Sequence, residues 1–126
     1  MISFLLVSHS KKITDGLKEM IDEMSLNKDN ITTFSIGGTK DGRLGTDPIA
    51  IYEAIEMRKM DDAIFIFTDL GSAVLSSETA VDMIDDELKQ KVHIVDCALV
   101  EGAFIAAVQI NGVDCLEQVL NELKTI

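Results

Sequence analysis

Short β-prone apolar runs alternate with amphipathic stretches along the whole of this 126-residue chain, and that alternation constrains its fold more than any other feature. Residues 2–7 form a nearly unbroken apolar run, as a strand buried on both faces requires. Residues 31–36, 63–68 and 92–95 read as three more strands. After the first run, Ile13, Leu17, Met20, Ile21 and Met24 return at three- and four-residue steps, with Asp15, Lys18, Glu19 and Glu23 on the other side, which predicts a helix. Pro48, the only proline, suits the first turn of a second helix that Asp47 caps and along which Ile49, Ile51, Tyr52, Ile55 and Met60 follow. Ser72 or Ser76 is placed to start a third, with Val81, Ile84 and Leu88 inward. From Val100 the pattern is helical again, broken at Asn111-Gly112 and resumed through Leu116, Val119, Leu120 and Leu123. The methionines on the helix faces read as core filler.

A strand that reaches a parallel neighbour needs a long crossover, and a helix of ten or more residues supplies it with right-handed chirality. The expected class is therefore α/β: a three-layer sandwich with a mostly parallel four- or five-stranded sheet and helices on both faces. With 47% hydrophobic residues the chain suffices for one core, and residues 1–126 are expected to form a single domain. Eleven basic against 22 acidic residues leave a net charge of -11, a field that repels nucleic acid and anionic lipid. The apolar run at the start has no basic residues before it and ends at Ser8-His9-Ser10-Lys11-Lys12, too short for a signal peptide or a membrane span. A cytoplasmic location is expected. Cys97 and Cys115 sit in no metal or redox spacing and read as reduced packing residues.

In sheets of this class ligands lie beyond the carboxyl ends of the strands, where the winding reverses. The first strand ends in Ser8-His9-Ser10 and the third in Thr68-Asp69-Leu70-Gly71-Ser72. If these strands are neighbours, Asp69 accepts the N–H of one imidazole nitrogen of His9 and leaves the other as a nucleophile. The pair resembles the base and orienting acid of a hydrolase triad with no serine nucleophile between them, which makes the histidine itself the nucleophile. An anion attached to it would face unpaired helix amides. A histidine after a buried strand also serves as a helix cap, and an aspartate there as a turn cap; spacing alone leaves both readings open. The loop at residues 37–46 holds four of the eight glycines but lacks the Lys-Ser/Thr pair of a P-loop and the dinucleotide pattern. It reads as a flexible loop with Lys40 and Arg43 solvated. His93, inside the fourth strand, reads as a structural histidine.

Four segments in order carry a family resemblance: Val7-Ser8-His9-Ser10, residues 37–46, Thr68-Asp69-Leu70-Gly71-Ser72-Ala73, and residues 95–104. Together they resemble the phosphotransferase subunit of the phosphoenolpyruvate-dependent dihydroxyacetone kinase, a domain related to the mannose-type IIA domains of the sugar phosphotransferase system. The resemblance implies that His9 is phosphorylated and that Asp69 orients it. It implies further that phosphate arrives from the phosphocarrier HPr and leaves to ADP held on the kinase's nucleotide subunit, and that the subunit is a homodimer. By position, Ser10, Gly38, Thr39 and Ser72 offer donors to the phosphoryl oxygens. No cofactor or metal is expected, since phosphohistidine is already reactive and no His/Cys cluster is present. Without a P-loop, tight binding of ATP or ADP by this chain alone is not expected. Three alternatives stand beside this reading. A mannose-type sugar IIA domain typically has Gly-Gly and Pro in the turn where this chain has Asp69-Leu70-Gly71-Ser72-Ala73-Val74. A receiver phosphorylated on aspartate needs an acidic pair where this chain has Ser8-His9-Ser10. The third is a non-catalytic interaction domain of the same fold.

Overall fold

The computed structural model describes residues 1–25, 29–110 and 116–126, with Leu116 described through its backbone alone. Its elements run β1 (Ile2–Ser8), α1 (Lys11–Met24), β2 (Ile31–Gly37), α2 (Pro48–Met57), β3 (Ala63–Thr68), α3 (Gly71–Asp82), α4 (Asp86–Lys89), β4 (Val92–Val95), α5 (Leu99–Gln109) and α6 (Leu116–Leu123). The strands form one four-stranded sheet in the order β2-β1-β3-β4, parallel throughout.

Strand alternation divides the core in two. Ile2, Phe4 and Leu6 of β1 point to the face covered by α1, α5 and α6, while Leu5 and Val7 point to the face covered by α2, α3 and α4. Phe4 lies opposite Phe65 in register, their rings stacked with centroids 5.7 Å apart, and Phe67 tilts against Phe4 at 5.0 Å. The small buried side chains of α5, Ala103, Ala106 and Ala107, let that helix settle close on these rings. Asp47 caps α2 as its sequence predicts: its carboxylate accepts from the amides of Ile49 (3.0 Å) and Ala50 (3.3 Å), with Pro48 in the first turn.

Several expectations are corrected. All six methionines are exposed rather than core filler: Met1, Met20, Met24, Met57, Met60 and Met83. On α1 only Thr14, Leu17 and Ile21 are buried, and Ile13, Met20 and Met24 form a second stripe beside them. A helix lying flat on a sheet covers it with one narrow row, so apolar residues beyond that row remain outside. Ile49 is exposed for the same reason, and Met60 lies past the end of α2. The third helix starts at Gly71 with Leu70 as its N-cap, so Ser72 lies within its first turn; Ile84 and Leu88 are buried after it, Leu88 on the separate α4. Cys97 is a free, half-buried thiol packed against the core. Burial, with Asp96 and Glu101 adding to it, pushes that thiol up to about 11. The expected break at Asn111-Gly112 and Cys115 lie outside the described residues.

Candidate functional site

β1 connects through α1 to β2 on one side, whereas β3 lies on its other side, so the winding reverses between β1 and β3. The parallel register pairs Val7 with Thr68. One step further on, His9 meets Asp69, as the sequence predicts for adjacent strands, and Ser8 meets it as well.

Asp69 collects the donors of this rim. Its Oδ2 accepts from the Ser8 hydroxyl (2.8 Å) and the His9 backbone N–H (3.0 Å). Its Oδ1 accepts from the Leu70 backbone N–H (2.7 Å) and lies 3.0 Å from His9 Nδ1. Burial pushes the carboxyl upward, but the His9 amide, the Ser8 hydroxyl, the Leu70 amide and the His9 ring outweigh it and hold Asp69 below its ordinary value. An ionised Asp69 can only accept, so Nδ1 carries the hydrogen and the Nε2 lone pair is left outward. The Ser72 hydroxyl meets that Nε2. The His9 ring is half-buried, with Nε2 on its open side.

Ser72 stands in the first turn of α3. The N-cap of this helix is Leu70, which offers no side-chain cap, and no atom lies within 4 Å of where a Gly71 side chain would begin. The Ala73 amide is donated to the Leu70 carbonyl (2.9 Å), which leaves the Gly71 and Ser72 amides at the start of α3, where the helix dipole favours an anion.

The glycine loop lies on the other side and is tied to the turn that bears His9 by backbone hydrogen bonds. Gly38 (φ 74°) donates its N–H to the Ser8 carbonyl at 3.0 Å, and Gly45 (φ 143°) to the His9 carbonyl at 2.8 Å. Within the loop the Thr39 amide donates to the Arg43 carbonyl (2.9 Å), and the Arg43 amide to Thr39 Oγ1 (3.1 Å). Gly37 is required by proximity: a Cβ there would lie 2.3 Å from Thr14 Oγ1, 2.4 Å from the Ser10 carbonyl and 2.8 Å from Lys11 Cα.

Of the residues singled out from sequence, the structure brings His9, Asp69 and Ser72 into contact. Ser10 is adjacent, with its amide donated to Ser8 Oγ (3.1 Å) and its hydroxyl unpaired. The amides of Gly38 and Thr39 are committed to the loop and to Ser8, so these residues shape the turn that carries His9. His93 lies away from the site, edge-on to the Phe65 ring at 5.3 Å. Ser8 was not singled out as a site residue; the available signal was a hydroxyl at the carboxyl end of a strand apolar but for Ser3. Among the described residues no group of three or more His, Cys, Asp or Glu side chains is placed to hold a metal ion, and no helix is long and apolar enough to cross a membrane.

Residues 3–120 match the family model EIIA-man, described as the PTS system fructose IIA component, which sets the class as a IIA-type domain of a phosphotransferase system. Among curated relatives, the phosphoryl donor subunit DhaM of PEP-dependent dihydroxyacetone kinase 2 from Listeria innocua serovar 6a is 50% identical, over 100% of this chain and 99% of its own. The phosphotransferase subunit DhaM of the PTS-dependent dihydroxyacetone kinase of Lactococcus lactis is 33% identical, over 95% of this chain and 91% of its own. In Providencia stuartii the corresponding DhaM is 40% identical over 98% of this chain, which spans only 26% of that longer protein. A crystal structure described as that of an unknown function protein, EF1359, matches with a TM-score of 0.88 at 50% identity, over 98% of this chain and 92% of its own. The chain belongs to the family of DhaM phosphoryl donor subunits of dihydroxyacetone kinase.

Proposed function

We propose that His9 Nε2 takes a phosphoryl group from phosphorylated HPr and passes it to ADP bound on the nucleotide subunit of dihydroxyacetone kinase. The observation that carries this reading is the 3.0 Å contact of Asp69 Oδ1 with His9 Nδ1, which leaves Nε2 unprotonated beside the open start of α3. In the first step the Nε2 lone pair attacks phosphorus in line. The Nε2–P bond forms as the donor's N–P bond breaks, and the released electron pair returns to the donor imidazole. Asp69 stabilises the positive charge that the ring then carries. The Ser72 hydroxyl turns from Nε2 to a phosphoryl oxygen, joined by the Gly71 and Ser72 amides at the start of α3 and by the unpaired Ser10 hydroxyl. In the second step a β-phosphate oxygen of ADP attacks phosphorus, the Nε2–P bond breaks, and the pair returns to His9. The domain supplies position and charge, and its open rim admits two different proteins in turn.

The reading extends to a single cytoplasmic domain that works as a homodimer. The exposed stripe of Ile13, Met20 and Met24 on α1 supports self-association, because it is apolar surface that a second copy could cover. The test is to incubate the chain with phosphoenolpyruvate, enzyme I and HPr and to measure its intact mass. One acid-labile phosphoryl group is the expected gain; an unchanged mass with fully phosphorylated HPr present would defeat the reading.

A further inference from the structure

We propose that Ser8 is a positioning residue of this site, holding Asp69 in the one hydrogen-bonding state that leaves His9 Nε2 free to receive the phosphoryl group. The inference rests on the roles proposed above for His9 and Asp69. Ser8 ends β1 and is fully buried. Its oxygen accepts the Ser10 amide hydrogen at 3.1 Å and its own hydrogen is directed at Asp69 Oδ2 at 2.8 Å. A backbone amide can only donate and an ionised carboxylate can only accept, so the two ends together set the direction of this pair.

The same logic continues into the ring. The amides of His9 and Leu70 also donate to Asp69, one to each oxygen, so three of its four partners are donors whatever the histidine does. Three donors, two of them backbone amides, stabilise the charged carboxylate over the acid and hold it below its ordinary value. Asp69 is therefore an anion, and the remaining partner, His9 Nδ1, must present N–H. Proton order runs from the Ser10 amide through Ser8 and Asp69 to the imidazole, each bond polarising the next. A serine that served only to fill space at the end of a buried strand would have no need of this directionality. Alanine at position 8 removes one donor from Oδ2, strips the Ser10 amide of its acceptor and lets the carboxylate turn, so the ring divides between its two neutral tautomers.

The test compares Ser8→Ala, Ser8→Thr and Asp69→Ala with the unaltered chain, reading the His9 tautomer from ring-nitrogen NMR shifts at mildly alkaline pH and the rate of labelling by phosphorylated HPr. We expect the unaltered chain and Ser8→Thr to hold the Nδ1–H tautomer. Ser8→Ala should show a mixture and label about tenfold more slowly, as loss of an orienting outer partner typically does, with its far-ultraviolet circular dichroism unchanged. A Ser8→Ala chain that keeps both tautomer and rate, while Asp69→Ala loses both, overturns the role of Ser8 and leaves that of Asp69 standing. If Asp69→Ala also keeps both, the orienting role of Asp69 falls and this proposal with it.

Discussion

Asp69 meets four hydrogen-bond partners at the mouth of the sheet, and only one of them, His9 Nδ1, belongs to a group able to change its protonation. On the proposed mechanism, His9→Ala abolishes phosphate acceptance while the fold persists, since its ring stands at the rim and not in either core. Labelling of His9→Ala, with loss of labelling in His93→Ala, would make His93 the phosphorylated residue instead. Asp69→Ala should slow transfer from HPr by roughly 10²-fold or more, because orientation and charge stabilisation are lost together, with a far smaller effect on thermal stability; stopped-flow rates equal to those of the unaltered chain would remove Asp69 from the mechanism. His93 has a separate pH signature. Burial pushes its imidazole below the ordinary value of 6.5, so the unfolded chain binds the proton more readily than the folded one. Its contribution is intact above pH 6.5 and is lost as the pH falls from there toward the folded value. An NMR titration should place the His93 midpoint below 6.5, and urea unfolding should show stability falling across that acid window; a midpoint at or above 6.5 contradicts the assignment.

Elements place these residues through their ends. The start of α1 is pressed onto the end of β2, and Gly37 makes the approach possible because the Thr14 hydroxyl and Ser10 carbonyl occupy the space of its missing side chain. Gly37→Ala should therefore cost about 1–3 kcal/mol, the range for forcing a methyl into packed surroundings, and should also slow labelling of His9 because it shifts the turn that bears it. Thermal denaturation and phosphorylation measured on the same variant check this, and full stability with full activity would refute it. The elements were legible in outline because their signals are local. The apolar run at residues 63–68 and the cap formed by Asp47 before Pro48 need no distant partner to be recognised, and both are present. The depth of burial on α1 was not legible. Thr14 is buried while Ile13 is exposed, and which neighbouring row meets the sheet depends on how the helix is rotated upon it.

At the scale of the whole molecule, one prediction concerns assembly. Light scattering in the micromolar range should report a dimer mass, and Met20→Lys combined with Met24→Lys should shift it toward monomer if the α1 stripe is the covered surface. A monomer mass for the unaltered chain contradicts the homodimer, and a dimer undisturbed by the double substitution moves the interface elsewhere. Two of the three α1 stripe residues are methionines, and as core filler they would have offered no such surface; their exposure is what makes this face available.

The period of the apolar residues was enough to establish an α/β sandwich, and the order of polar groups at strand ends was enough to place His9, Asp69 and Ser72 at the rim, because both are properties of neighbours along the chain; their roles came from the four-segment family resemblance. Strand order was not among them. That β1 lies between β2 and β3 follows from how two crossovers pack on opposite faces, and it is this order that brings together residues 60 and 63 positions apart. The glycine loop shows the same division: its composition marks a turn, whereas its attachment to the site comes from amides that find the carbonyls of Ser8 and His9 across the fold. Ser8 stood at a strand end in the sequence, but its role was not legible there for the same reason, since a hydroxyl acquires direction only from the donors and acceptors that the folded chain puts around it.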